Sequence, residues 1–153
     1  MSGARTRFGK FVRLPSAERW LLTEAALVLG MIRLGLWLLP LQRLRRVMTH
    51  AVGLTRARTW PDGSFPGRAG HAVDMAGTCV PQASCLPRAL AVQFLLQRRG
   101  YSVDLRIGLA WGAQRQLKAH AWVEHRGRVI FGGGFPAAGI VLSDHEGRQQ
   151  NGA

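Results

Sequence analysis

The chain has 153 residues, 47% of them hydrophobic and including five Trp and six Phe, which is enough to fill one core and excludes wholesale disorder. Its 21 Lys+Arg against 8 Asp+Glu give a formal net charge of +13, which favours an acidic partner: nucleic acid, an anionic membrane face or an acidic peptide. The arginines are spread along the chain without a helix-turn-helix, zinc-finger or aromatic RNA-binding signature, so no nucleic-acid partner is expected.

Residues 1–14, with Arg5, Arg7, Lys10 and Arg13, read as a basic flexible arm, and no signal-type apolar core and cleavage site follow it. Pro15-Ser16 offers a helix start with Ser16 as N-cap. The stretch Ala17 to Leu39, rich in Leu, Ala, Trp and Met, predicts a helix that Pro40 ends or kinks. Inside it, the apolar run Ala25 to Leu41 has Arg33 near its middle and falls short of the roughly 20 apolar residues a membrane span needs. It reads as a buried or interface helix with membrane contact that is at most peripheral.

A second helix, Leu41 to about Val52, places Arg43, Arg45 and Arg46 on its polar side, which completes an N-terminal helical region over residues 15–60. PDGSFPGRAG over residues 61–70 is turn chemistry and predicts an exposed loop. It opens a core over residues 61–153 that forms one compact unit with residues 15–60. Leu86, Leu90 and Phe94 recur every fourth position after Cys85, and Gly100 follows Arg98-Arg99 as a helix stop.

Beyond Gly100 the period becomes two. Val103, Leu105, Ile107 and Leu109 alternate with polar residues or glycine, Leu117 to Val123 alternates again, and His125-Arg126-Gly127-Arg128 turns into a third strand around Val129-Ile130-Phe131. A helix followed by hairpin-linked strands indicates an α+β domain with a small antiparallel sheet packed on that helix. The tail from about Gly134 has no clear period, and residues 146–153 are expected to fray.

Cys85 stands where a helix begins, and His120, Trp122 and Glu124 share one face of their strand while Ala119, Ala121 and Val123 take the other. A helix N-terminus favours thiolate over thiol through its macrodipole and free N–H groups, and the same groups can hold a tetrahedral oxyanion. Packing of that helix on the His face would bring thiol and imidazole together for acyl transfer. The other reading of the same residues is a buried structural cysteine and a hydrogen-bonded histidine. Cys79, six positions earlier, reads as a spectator, because C-x5-C lacks zinc-ligand spacing; neither metal nor cofactor is expected. Two cysteines make no secreted disulfide framework and point to a reducing cytoplasm.

SCLPRALAVQFLLQRRGYSVDLRIGLA followed by LKAHAWVEHRGRVIFGG resembles the transglutaminase-like cysteine peptidases that remove leader peptides in lasso-peptide biosynthesis, the microcin-processing type. The likeness is strongest over residues 79–133. It implies a transglutaminase-like, papain-like core with Cys85 as nucleophile and His120 as general base. Those peptidases commonly carry an Asp on the strand after the hairpin, 12 residues beyond the His, where this chain has Gly132.

The missing acid leaves open what orients His120. Glu124, at i+2 on the same strand, points parallel to His120, so it is expected as a strand carboxylate or an arginine partner before a catalytic group. Asp144 is a further candidate from the tail. A backbone carbonyl or an amide acting on a Cys-His dyad is the leading expectation. Trp122 is expected in the core or along the substrate groove, and Arg88 as a substrate-carboxylate anchor or a solvated charge. The stretch ahead of Cys79, read as helices, leaves no room for a fused leader-recognition domain. The resemblance therefore implies three partners: a separate recognition-element protein, the precursor peptide, and a ring-closing cyclase resembling asparagine synthetase. A catalytically weak docking subunit and another amide acyl-transfer activity are the alternatives.

Overall fold

A computed structural model describes residues 15–54, 63–80, 83–111, 117–133 and 140–142. The basic arm, the 60/61 boundary, Asp144 and residues 146–153 lie outside the described residues.

Helix α1 (Ser16–Leu38) buries Leu21, Ala25, Val28, Leu29 and Ile32, one stripe at helical spacing. Its N-cap is Pro15 rather than Ser16, and the Pro15 carbonyl accepts from the N–H groups of Glu18 and Arg19. The chain leaves the helix at Leu39, in extended conformation before Pro40, as the residue ahead of a proline prefers. Helix α2 (Leu41–Leu54) buries Leu44, which lies over Gly35 of α1.

The stretch read as an exposed loop is in part a helix, α3 (Phe65–Gly77), whose Phe65 and Ala69 are fully buried. Pro66 sits in the first turn, where its missing N–H has no intrahelical acceptor to lose. Gly70 lies against the Phe131 ring, 3.2 Å from where a Cβ would stand, so this glycine serves close packing of helix on sheet rather than a turn.

Helix α4 (Cys85–Arg98) is the central element: Pro87, Ala89, Leu90, Ala91, Val92, Leu95 and Leu96 are buried, more than the Leu86–Leu90–Phe94 spacing alone marks. Gly100, at φ +82°, ends it, with the Tyr101 N–H donating to the Leu96 carbonyl.

Strands β1 (Asp104–Trp111), β2 (Leu117–His125), β3 (Arg128–Phe131) and β4 (Ile140–Leu142) form one sheet in the order β3-β2-β1-β4, every neighbour antiparallel. The fourth strand falls in the tail that showed no period, and three residues are too few to show one. Arg126 at φ 50° and Gly127 at φ 77° make the two-residue β2–β3 turn, both in the left-handed region that primed hairpin turns require. Leu105, Ala121 and Val123 join the buried cluster made by the helices, with Ile107 packed on it. The helices therefore lie on that face of the sheet.

One clasp ties α1 to the central helix. Glu24 of α1 accepts from Arg98 at 2.6 Å and from Arg99 at 2.8 Å, and the Arg99 guanidinium lies 4.3 Å over the Phe65 ring. Arg99 is almost fully buried, so its charge depends on that carboxylate.

Candidate active site

Ser84 caps α4 in extended conformation, and Cys85 is the first helical residue. The N–H groups of Cys85 and Leu86 have no acceptor within the helix, Pro87 has no N–H, and the first helical bond runs from Arg88 to the Ser84 carbonyl at 3.5 Å. The α4 N-terminus is therefore short of intrahelical acceptors where the thiol stands. Cys85 is free and half-buried, whereas Cys79 is exposed after α3, beside the Thr78 hydroxyl.

The Cys85 thiol donates to the Ala119 carbonyl oxygen at 3.7 Å. This puts the sulfur on the Ala119–His120 peptide. Because α4 packs on the Ala121 and Val123 face, the thiol meets the strand at its backbone rather than by lying over the His face, as a helix on that face would.

His120, Trp122 and Glu124 occupy the other face. The His120 and Trp122 rings stack at 6.2 Å with an interplanar angle of 21°. The Trp122 indole N–H donates to Glu124 Oε1 at 2.8 Å, and Arg106 Nε donates to Glu124 Oε2 at 3.3 Å. Glu124 thus holds the indole that stacks on His120 and takes its charge partner from β1. Arg106 was not singled out in the sequence; the signal available was an opposite charge on the same face of the neighbouring strand, since Arg106 pairs in register with Trp122.

Gly132 also meets His120, through its backbone. His120 Nε2 lies 2.6 Å from the Gly132 carbonyl oxygen. A carbonyl only accepts, so Nε2 carries a proton, and whenever the ring is neutral Nδ1 is its acceptor nitrogen. Gly132 has φ +76°, and a Cβ there would stand 2.8 Å from the Ala121 carbonyl oxygen and 3.0 Å from the Trp122 Cα. Only glycine fits that backbone, and it turns a carbonyl, not a side chain, toward the imidazole.

Arg88 is turned toward α3: its guanidinium donates to the Gly77 carbonyl at 3.2 Å and pairs with Asp74 at 3.6 Å. It caps the last turn of that helix, where a cation is favourable. His125 Nδ1 donates to the Ser102 carbonyl at 2.6 Å and its ring meets Tyr101 edge-on. Among the described residues no three His, Cys, Asp or Glu side chains are grouped as a metal would require.

The structure brings the thiol to the backbone of the strand that carries His120, at the residue before it, while the imidazole stands on the other face of that strand; a free thiol at a helix N-terminus and a nearby histidine are the groups that acyl transfer uses. Residues 26–139 match the family model described as the transglutaminase-like superfamily. No curated protein and no solved structure matches the chain. With helices packed on one face of an antiparallel sheet and Cys85 at the start of the central one, the chain belongs to the transglutaminase-like superfamily, whose members are often cysteine proteases or transferases.

Proposed function

We propose that the chain is a cysteine peptidase that removes the leader from a ribosomally made lasso-peptide precursor, working in a reducing cytoplasm with a separate leader-recognition protein and an asparagine-synthetase-like cyclase. The order of SCLPRAL, LLQRRG and AHAWVE supports the substrate class. The observation that carries the chemistry is the Cys85 thiol on the Ala119–His120 peptide.

In this reading His120 Nδ1 takes the thiol proton and the thiolate attacks the carbonyl carbon of the leader–core bond. The oxyanion is held by the first-turn N–H groups of α4, including that of Cys85. Collapse breaks the C–N bond as His120 returns the proton to the leaving amine, which gives a thioester. Water, deprotonated by His120, then adds to the thioester and releases the leader carboxylate and the thiol. The Gly132 carbonyl holds the ring in the productive tautomer but adds no negative charge beside it.

A non-catalytic docking subunit is the second reading, and Gly132 in place of the resembled peptidases' Asp is what favours it. The test is mass spectrometry of the precursor incubated with the recognition protein and wild type, Cys85→Ala or His120→Ala. Leader release by wild type alone, with a free carboxylate on the leader, supports the peptidase, whereas an amine adduct indicates transfer. No release by folded wild type whose partner binds, together with a thiol that resists alkylation, overturns it.

A further inference from the structure

Helix α1 presents a second stripe, opposite in purpose to the one it buries. Trp20, Leu27, Met31, Leu34 and Leu38 are 55% exposed or more and follow one another at three-, four- and seven-residue steps, with Trp37 beside them at 77%. On α2, Val47 and Leu54 are exposed as well. At a rise of about 1.5 Å per residue the two tryptophans stand roughly 25 Å apart along one helix. By length and composition α1 is apolar enough to cross a membrane.

The charges around this stripe have one sign. The two carboxylates of α1 are engaged by arginines of the later helices, Glu18 with Arg68 at 3.9 Å and Glu24 with Arg98 and Arg99. Helix α2 has no acidic residue, and Arg19, Arg43 and Arg46 are exposed.

We infer that the outer face of α1 and α2 docks in the plane of an anionic lipid surface, with the apolar stripe in the headgroup boundary and Arg19, Arg43 and Arg46 on lipid phosphates. Exposed tryptophans suit that boundary, where an apolar ring and a polar N–H are both accommodated. A second copy of the chain is the poorer occupant, because each copy brings a net charge of +13. A transmembrane course is poorer still. Leu21, Ala25, Val28, Leu29 and Ile32 belong to the core, and Glu24 is clasped to α4, so threading α1 through a bilayer would dismantle the domain. This inference does not depend on the peptidase reading.

The test is co-sedimentation of the full chain with phosphatidylglycerol–phosphatidylcholine vesicles and with phosphatidylcholine vesicles alone. The pairs Leu27→Glu with Leu34→Glu, Leu27→Gln with Leu34→Gln, and Arg43→Glu with Arg46→Glu are compared with wild type, with circular dichroism as the folding check. Wild type is expected to sediment with the anionic vesicles, to be released by about 1 M salt and by alkaline carbonate, and to lose binding about tenfold or more in each folded Glu pair. Equal binding to both vesicle types, undiminished binding by the folded pairs, or resistance to carbonate overturns the inference. So does a concentration-dependent dimer that the leucine variants abolish.

Discussion

His120 Nε2 donates a 2.6 Å hydrogen bond to the backbone carbonyl of Gly132, the position where the resemblance drawn from the sequence led one to look for an Asp. Restoring the acid is therefore not a simple exchange. In Gly132→Asp the new Cβ meets the Ala121 carbonyl at 2.8 Å on a backbone held at φ +76°, a cost of about 1–3 kcal/mol. Thermal melting should fall by roughly 3–10 °C, and on the proposed peptidase reading leader release should be slower than in wild type. An Asp variant that melts like wild type and cleaves faster would show that residue 132 can yield its backbone to a side chain.

Glu124 reaches toward the imidazole through Trp122, whose indole it holds at 2.8 Å. Trp122→Phe and Glu124→Ala should each lower kcat about tenfold with KM within about twofold, because a less constrained stacking partner loosens His120 without touching the peptide. Glu124→Gln keeps an oxygen to accept from the indole and should recover most of the loss. Steady-state kinetics decide: loss in Gln as large as in Ala means the carboxylate charge itself is used.

Arg88 joins α4 to the end of α3 through Gly77 and Asp74. Arg88→Met should cost about 1–2 kcal/mol in urea denaturation, a modest figure because the Asp74 pair is solvent-screened. On the proposed peptidase reading, the KM for precursor should not change. A tenfold rise in KM with unaltered stability would make Arg88 a substrate anchor after all.

Glu24→Ala leaves the buried Arg99 guanidinium without its carboxylate, although Arg99 keeps the Leu95 carbonyl and the Phe65 ring. Removing one partner of a buried pair costs about 3–5 kcal/mol, visible as a large shift in the denaturation midpoint. A shift below about 1 kcal/mol would mean that water replaces the carboxylate.

Long periodic stretches were legible. The α1 and α4 helices, Gly100 as a stop, and the first two strands follow from spacing, because each buries one face or turns at a residue whose conformation is restricted. Helix α3 was hidden by Pro66, Gly67 and Gly70, residues that signal turns in isolation. In the folded chain one begins a helix and another makes room for the Phe131 ring. At the site, residue types identified Cys85 and His120 as candidates, and period two separated His120 from Ala119. Which face α4 covers was not readable, because Ala121 and Val123 on one side and Trp122 on the other are all apolar enough for burial. A backbone carbonyl or an amide beside His120 was the expectation once the acid was missing, but that the carbonyl is Gly132's was not readable, since a main-chain oxygen has no letter in the sequence.

The Glu24 clasp sits at the far end of the helix that begins with Cys85. Fourteen residues of α-helix form a rod of about 20 Å, and the clasp at one end helps set where the other end points, together with the buried flank of α4 and the Arg88 contacts to α3. Slack in the grip becomes travel at the tip, where an ångström decides whether sulfur and carbonyl carbon meet. Helix α1 is thus part of the bearing on which the thiol is aimed, and on the peptidase reading a loosened clasp should cost aim as well as the stability ascribed to Glu24.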